Sequence, residues 1–424
     1  GTNGLVYQQV VADLPDLDDE LLETLPYYTN ALTQLGCAGR DYLDVQALQT
    51  SVSGGVHASS SMRGSVEDVQ RMSGYFVLSG KALVRNHGAL SALMRDSLLE
   101  ARFDESARIR EIMAQQRARR EQSVTGNGHG LAMLAAMSGL SSGAALSHRL
   151  RGLAGIRHLK VLDDALDSEN ELDQLAGRFE KIHQQIVAAP RQFLLVAEAE
   201  RLSQACEEVQ QAWTGSEDNV SAFSAFSPAP VNRQVCDAWL TNTQVNFCAK
   251  AYPTVPAEHE DAAALSVLAG FLRNGYLHRV VREQGGAYGG GASHDSDNAA
   301  FHFFSYRDPR LEETLDDFDK SVAWLLDDKH EWRLVEEAIL GVIGSIDRPG
   351  SPAGEAKDAF FSNLYGRTPE RRQAFRQRVL EVTLADLQRV GETYLRPEAA
   401  SVAVISAPAE EQRCRDLGLT IQML

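Results

Sequence analysis

Two short stretches set 231 positions apart carry one signature, and nothing else in the chain limits its architecture as strongly. SVSGGVHASS (51–60) lies on REQGGAYGGG (282–291) with Gly54 and Gly55 over Gly285 and Gly286, and His57 over Tyr288. Their surroundings agree in kind. A strand-like segment from Leu5 and a helix-like segment ending near Gly36 precede the first pair; a strand-like segment from Gln244 and AALSVLAGFLRNGYLHRVVRE precede the second. In the latter, Leu265, Leu268, Leu272 and Tyr276 recur every three or four residues, which marks one buried helical face. After each turn come a strand (from Gly74 and from Ala299), long helical pattern, and a late strand (from Gln192 and from Ala400). One structural unit is therefore expected twice.

The expected fold class is α+β: two homologous domains, each a mainly antiparallel sheet covered by helices on one face. A length of 424 residues accommodates two such units. The divisions expected are 1–215, a linker at 216–232 within a stretch rich in Ser, Pro, Asn and Gly, and 233–424. A second mobile stretch is expected at SVTGNGHG (123–130), ahead of the small-residue segment LAMLAAMSGLSSGAAL.

Composition narrows the function classes. The formal charge of −17 argues against a nucleic-acid or anionic-membrane partner, because phosphate affinity depends on Lys and Arg. The one basic run, RIREIMAQQRARR (108–120), has helical spacing and no interleaved aromatics, so it reads as a solvated helix face. No run approaches the roughly 18 apolar residues of a membrane span. The five cysteines are scattered without a C-x-x-C pair, as reduced thiols in a cytoplasmic compartment would be, or in an organelle matrix in a eukaryote. The opening GTNGLVYQQV has no secretory pattern, and Gly1 reads as a cleavage boundary or an engineered start.

Spacing removes several chemistries. A phosphate loop needs G-x-x-x-x-G-K-[ST] and a dinucleotide site needs G-x-G-x-x-G between strand and helix; here the glycines follow a helix and no Lys follows them. Neither H-E-x-x-H nor H-x-x-E-H occurs. HDSDNAAFH (294–302) has ligand-type residues without a helical pair and reads as a loop, and no metal site is expected in the chain. A Ser/His/Asp triad, assembled only in space, stays open, although no G-x-S-x-G elbow is present.

What remains is Arg282, at a helix end, and Tyr288, beyond a Gly-Gly turn, with further glycines at 289, 290 and 291 that let another backbone approach. A phenol can donate to a developing oxyanion and a guanidinium can hold a peptide carbonyl. The bland alternative is a helix-capping Arg beside a sheet aromatic. Against it stands the repeat, which keeps the Gly pair but carries Ser51 and His57 in place of the Arg and Tyr. The candidate site residues are thus Arg282 and Tyr288, with Gly285, Gly286 and Ala287 between them where an extended peptide could lie.

FLRNGYLHRVVREQGGAYGGGASHDSDNAAFHFFSYRDPRLEETLDDFD (271–319) resembles the last domain of the presequence-protease branch of the inverted-zincin peptidases, relatives of pitrilysin and insulin-degrading enzyme. TNGLVYQQV near the start and RLRGLAGIRHLK from Arg149 are similar to the same branch. The resemblance spans the whole chain but only the C-terminal half of such an enzyme. It implies a bowl-like half that closes with a zinc-bearing N-terminal half around an unfolded peptide. Arg282 would clamp substrate backbone beyond the cut bond and Tyr288 would donate to the tetrahedral oxyanion, while the zinc would lie in the other half. By itself the chain is expected to be inactive. The alternatives are a stand-alone non-catalytic partner subunit of a zinc-bearing chain, and a peptide-binding scaffold with no catalytic role.

Overall fold

The computed structural model describes residues 1–215, 223–327 and 329–424. The first unit begins with β1 (Leu5–Asp13), α1 (Asp19–Ala31) and α2 (Tyr42–Val52), then β2 (Val56–Gly64) and β3 (Met72–Leu83). Helices α3 (His87–Leu99), α4 (Ser106–Gly126), α5 (Gly128–Met137), α6 (Ser142–Arg151), α7 (Leu153–Ala165) and α8 (Glu169–Val187) follow, and β4 (Arg191–Val196) and α9 (Ala199–Ala212) close it. Asp18 and Asp41 cap α1 and α2 by accepting from Leu21 N–H and Asp44 N–H, satisfying first-turn donors that the helices cannot.

The second unit runs β5 (Cys236–Leu240), β6 (Phe247–Pro253), α10 (Ala262–Leu272), β7 (Gly289–Asp295), β8 (Ala300–Tyr306), α11 (Glu312–Leu326), α12 (Trp332–Ile346), α13 (Pro352–Leu364), α14 (Pro369–Leu380), α15 (Leu384–Tyr394), β9 (Ser401–Ser406), α16 (Glu411–Asp416) and β10 (Thr420–Met423). The sheet orders are β2-β3-β1-β4 and β10-β5-β9-β6-β8-β7. Laid side by side, β7, β8, β6 and β9 take the places of β2, β3, β1 and β4, all antiparallel to their neighbours; β5 and β10 extend the second sheet in parallel. The expected duplication is real at the level of strand order.

Each sheet carries its own helices on one face. Val10, Ala12, Phe76 and Leu78 pack with α1, α4 and α8, and Cys248, Tyr252, Phe301 and Phe303 pack with α10, α11 and α15. The opposite face of the second sheet is also covered, by a helix from the first unit. Phe247, Ala249, Ala251, Ala300, Ala403 and Ile405 alternate onto that face and meet Leu131, Ala132, Ala135 and Ala136 of α5. This explains why β6 is buried along nearly its whole length.

The mobile stretch expected at 123–130 is instead helical, broken only at Asn127. Gly128 lies against the Phe247 ring, where a Cβ would come within 2.7 Å of ring carbons, so this glycine serves close approach of helix to sheet. Of the expected linker 216–232, residues 216–222 lie outside the described residues. The remainder is pinned: Phe226 N–H donates to Leu14 O, and Val231 exchanges both backbone bonds with the Gln70 side chain, at 3.0 and 2.8 Å.

Candidate functional site

Helix α10 does not end at Leu272. It continues as a π-helix, Arg273–Gln284, whose wider turn places Arg282 at its end. The transition out is built from local backbone bonds back to the last turn: Gly285 N–H donates to Val280 O at 2.9 Å, Ala287 N–H to Val281 O at 3.2 Å, and Gly286 N–H to Arg282 O at 3.1 Å. π-Helical segments are rare and concentrate at functional sites. Nothing in the residue periodicity separates this one from an α-helix, which is why sequence reasoning missed it.

The two glycines of the turn have different jobs. Gly286 has φ +82°, and its counterpart Gly55 has φ +108°; both occupy the left-handed region where a Cβ is penalised. Gly285 has ordinary φ but no room, because a Cβ would overlap the Arg310 guanidinium and lie 2.6 Å from Val281 O. Arg310 is itself set by a framework behind the loop. Asp308, fully buried, accepts from Arg310 N–H at 3.0 Å and Thr314 Oγ1 at 2.8 Å, and its backbone pairs with Asn246. Burial raises the Asp308 carboxyl above its ordinary range.

Arg282 and Tyr288 both project into solvent, and Tyr288 is 68% exposed. Among the described residues neither side chain makes a hydrogen bond or ion pair. The Tyr288 ring meets Tyr306 edge to face, and Tyr306 is flanked by His129 of α5 at 4.8 Å between ring centroids. Ala287 differs from expectation: its methyl is buried in the second core and its N–H is already engaged, so its side chain is not available to a substrate.

Beyond Tyr288 the chain enters β7, the outermost strand of its sheet, paired only with β8. Close packing holds its glycines in place: a Cβ on Gly290 would meet Val281 Cγ1 at 2.7 Å. The loop reading of 294–302 gives way to a β7–β8 hairpin. His294 sits half-buried between Ser266 Oγ (3.1 Å) and Thr254 Oγ1 (3.3 Å), and desolvation lowers it to about 3; His302 faces the α5 side and is lowered to about 4 for the same reason. At the tip Asp295 accepts from Asp297 N–H and Asn298 N–H. Among the described residues no group of three or more His, Cys, Asp or Glu could hold a metal ion. An exposed guanidinium and an exposed phenol thus flank the turn, and on the Arg282 side His278 Nδ1 lies 3.5 Å from Glu283 Oε1.

The chain is similar to known proteins along both of its units. Residues 1–162 match the family model described as the associated region of peptidase family M16, subfamily C, and residues 237–406 match the PreP C-terminal domain. The mitochondrial presequence protease of Yarrowia lipolytica is 31% identical over 95% of this chain, and presequence protease 1 of Arabidopsis thaliana, named chloroplastic/mitochondrial, is 27% identical over 96%. The chain spans 41% and 38% of those relatives, about two fifths of their length. In structure it is similar to a peptidase M16 inactive domain from Pseudomonas fluorescens, with TM-score 0.66 and 18% identity, covering 95% of this chain and 93% of that one. Pitrilysin gives TM-score 0.64 at 13% identity, covering 95% of this chain and 40% of its own.

Proposed function

The chain belongs to the presequence-protease branch of the M16 peptidases, matching its C-terminal half, and from that premise we propose that it is the peptide-enclosing, non-zinc half of a zinc metalloendopeptidase acting on short unstructured peptides. The observation that carries this is the Arg282/Tyr288 pair, exposed and unpartnered among the described residues, on either side of a rigid glycine turn at the outer edge of a sheet. In this reading Arg282 holds a substrate carbonyl, and Tyr288 Oη donates to the oxygen on which negative charge develops. In the same reading zinc and the attacking water belong to the N-terminal half, as the zinc-peptidase relatives suggest. Closure of the two halves completes the site. No helix among the described residues is long and apolar enough to cross a membrane. The free state of all five cysteines fits a reducing compartment, either the cytoplasm or an organelle matrix such as those in the relatives' names.

The test is to mix this chain with the zinc-bearing half and follow a fluorogenic peptide. Cleavage restored by the chain and lost with Arg282→Ala and Tyr288→Phe supports the reading. Cleavage that both variants restore equally well leaves the chain a scaffold.

A further inference from the structure

Net acidity hides a cluster of positive charge on the first unit that no carboxylate compensates among the described residues. Along α4, Arg108, Arg110 and Arg117 are each paired with carboxylates. Arg119 and Arg120, on the same helix, are not. With Arg151 they line a cavity of about 240 Å³ between α1, α4 and the middle of β2, and no Asp or Glu is among its walls. Among the described residues no carboxylate oxygen lies within 4.0 Å of any of these three guanidinium groups. Glu23, whose charge is felt by Tyr27 beside Arg120, is occupied with Arg149 at 2.6 Å. Arg120 Nη1 donates only to a neutral carbonyl, Arg151 O, at 3.0 Å, and burial together with the Arg151 charge pushes it below the ordinary guanidinium range. Gln116, 8% exposed, also lines the cavity, and its amide donates only to Met113 Sδ at 3.9 Å. Arg120 is half-buried, while Arg119 and Arg151 stand exposed at the mouth, so three guanidinium groups with no carboxylate beside them converge on one cavity that an anion from outside the described residues could enter.

The backbone beside it indicates which anion. β2 is the outer strand of its sheet, the counterpart of β7 at the candidate site. Arg151 Nη2 donates to Ser60 O at 3.1 Å and Ser60 Oγ at 3.3 Å, so the Ser60 carbonyl points out of the ladder; Ala58, two residues earlier, shares that direction. An extended peptide pairing along the β2 edge would be stopped at Ser60 by the Arg151 guanidinium, with its last group over the arginines. The cavity is also smaller than the roughly 300 Å³ at which small-molecule sites begin, which suits one terminal residue better than a nucleotide.

We propose that this pocket binds the C-terminal carboxylate of an extended peptide laid on the β2 edge, held by Arg119, Arg120 and Arg151. The inference rests on the peptide-enclosing reading and supplies a preference within it: peptides with a free acid terminus.

The experiment measures binding to this chain alone by fluorescence anisotropy, using a labelled hexapeptide with a free C-terminal carboxylate and the same peptide as its amide. The acid is expected to bind at least about tenfold more tightly, the scale of one charge-assisted contact. That ratio should fall toward one in the Arg119→Gln/Arg120→Gln double variant, with folding checked by circular dichroism. Equal binding of acid and amide overturns the proposal, as does a preference that survives in the folded double variant. A small-anion site is the remaining outcome: millimolar inorganic phosphate occupying the pocket with no acid-over-amide difference also overturns it. Failure of the peptide-enclosing reading would show separately, as no rescue of the zinc-bearing half and no binding of either peptide.

Discussion

Tyr288 stands edge-on to Tyr306, their ring centroids 5.5 Å apart and their planes at 83°. Because Tyr306 also packs against His129 of α5 and under the Arg307 guanidinium, the first unit reaches the candidate oxyanion donor through two aromatic contacts. Replacing the donor and replacing its support should therefore differ in degree. In the reconstituted enzyme Tyr288→Phe is expected to lower kcat about a hundredfold, the scale of losing one oxyanion donor. Tyr306→Leu, which leaves the phenol but frees the ring, should cost about tenfold in kcat with little change in KM. Steady-state kinetics on one fluorogenic peptide separates the two; an unaltered kcat for Tyr306→Leu would mean that ring orientation is irrelevant.

The glycine turn makes a second prediction, because its two positions fail for different reasons. Gly286→Ala forces a Cβ onto φ +82° and should cost about 1 kcal/mol in stability. Gly285→Ala puts a Cβ against a backbone oxygen, Val281 O, which cannot rotate away, and against Arg310. It should cost more, about 2 to 3 kcal/mol, and displace the start of β7. Urea unfolding midpoints of the two variants check the order. A Gly285→Ala protein as stable as Gly286→Ala would show that the Arg310 framework yields easily.

What was legible in the sequence follows from which signals are local. The Gly pairs were visible because the left-handed turn demands the second glycine of each, Gly55 and Gly286, and the aromatic run of β8 announced a strand. The strands directly after the turns, β2 and β7, were not visible. VHASSSMRG is polar with no apolar alternation, and GGGASHD has three residues without side chains, so neither carries a period-two signal although both pair fully with their neighbours. The packing of α5 on the second sheet was hidden for another reason. Its Ala and Gly content read as looseness, whereas small residues at Gly128, Ala132 and Ala135 are what let the helix lie close to Phe247 and Ala249. The basic run at 108–120 was read as one solvated face; only the fold divides it into paired arginines and the two that line a cavity.

Gln70 gives the third prediction. Its side chain donates to Leu140 O and Val231 O and accepts from Ser142 N–H, Ser142 Oγ and Val231 N–H, at 2.8 to 3.2 Å, joining the β2–β3 loop, the α5–α6 loop and the described part of the connector. Gln70→Ala strands several of these backbone groups at once and should cost about 3 kcal/mol. The same loss should expose residues 223–235 to limited proteolysis, with the cut sites read by mass spectrometry. Unchanged protease resistance would show that Phe226, buried in the first core, holds the connector without Gln70.

His302 carries the last prediction, on acid stability. Burial lowers its folded value to about 4 from the ordinary 6.5, and it is 6% exposed with Nδ1 unpartnered, so the fold accepts only the neutral ring. A depressed folded value means that the unfolded chain binds the proton first as pH falls. Its contribution is therefore complete above about pH 6.5 and is lost progressively between there and pH 4, by up to about 1.4 kcal/mol per pH unit. His148, His183 and His294, lowered to about 4, 4 and 3 by burial, act in the same direction, so the whole protein should weaken on mild acidification. His302→Asn retains a polar group that cannot take up the proton in this range. Its unfolding free energy, measured in urea at pH 7.5 and 5.0, should be lower than that of the parent at the higher pH because of lost packing against α5. The gap should close by about 1 to 2 kcal/mol at the lower pH, as the parent alone loses this residue's contribution. A gap that stays constant between the two pH values would mean that His302 is protonated within the fold.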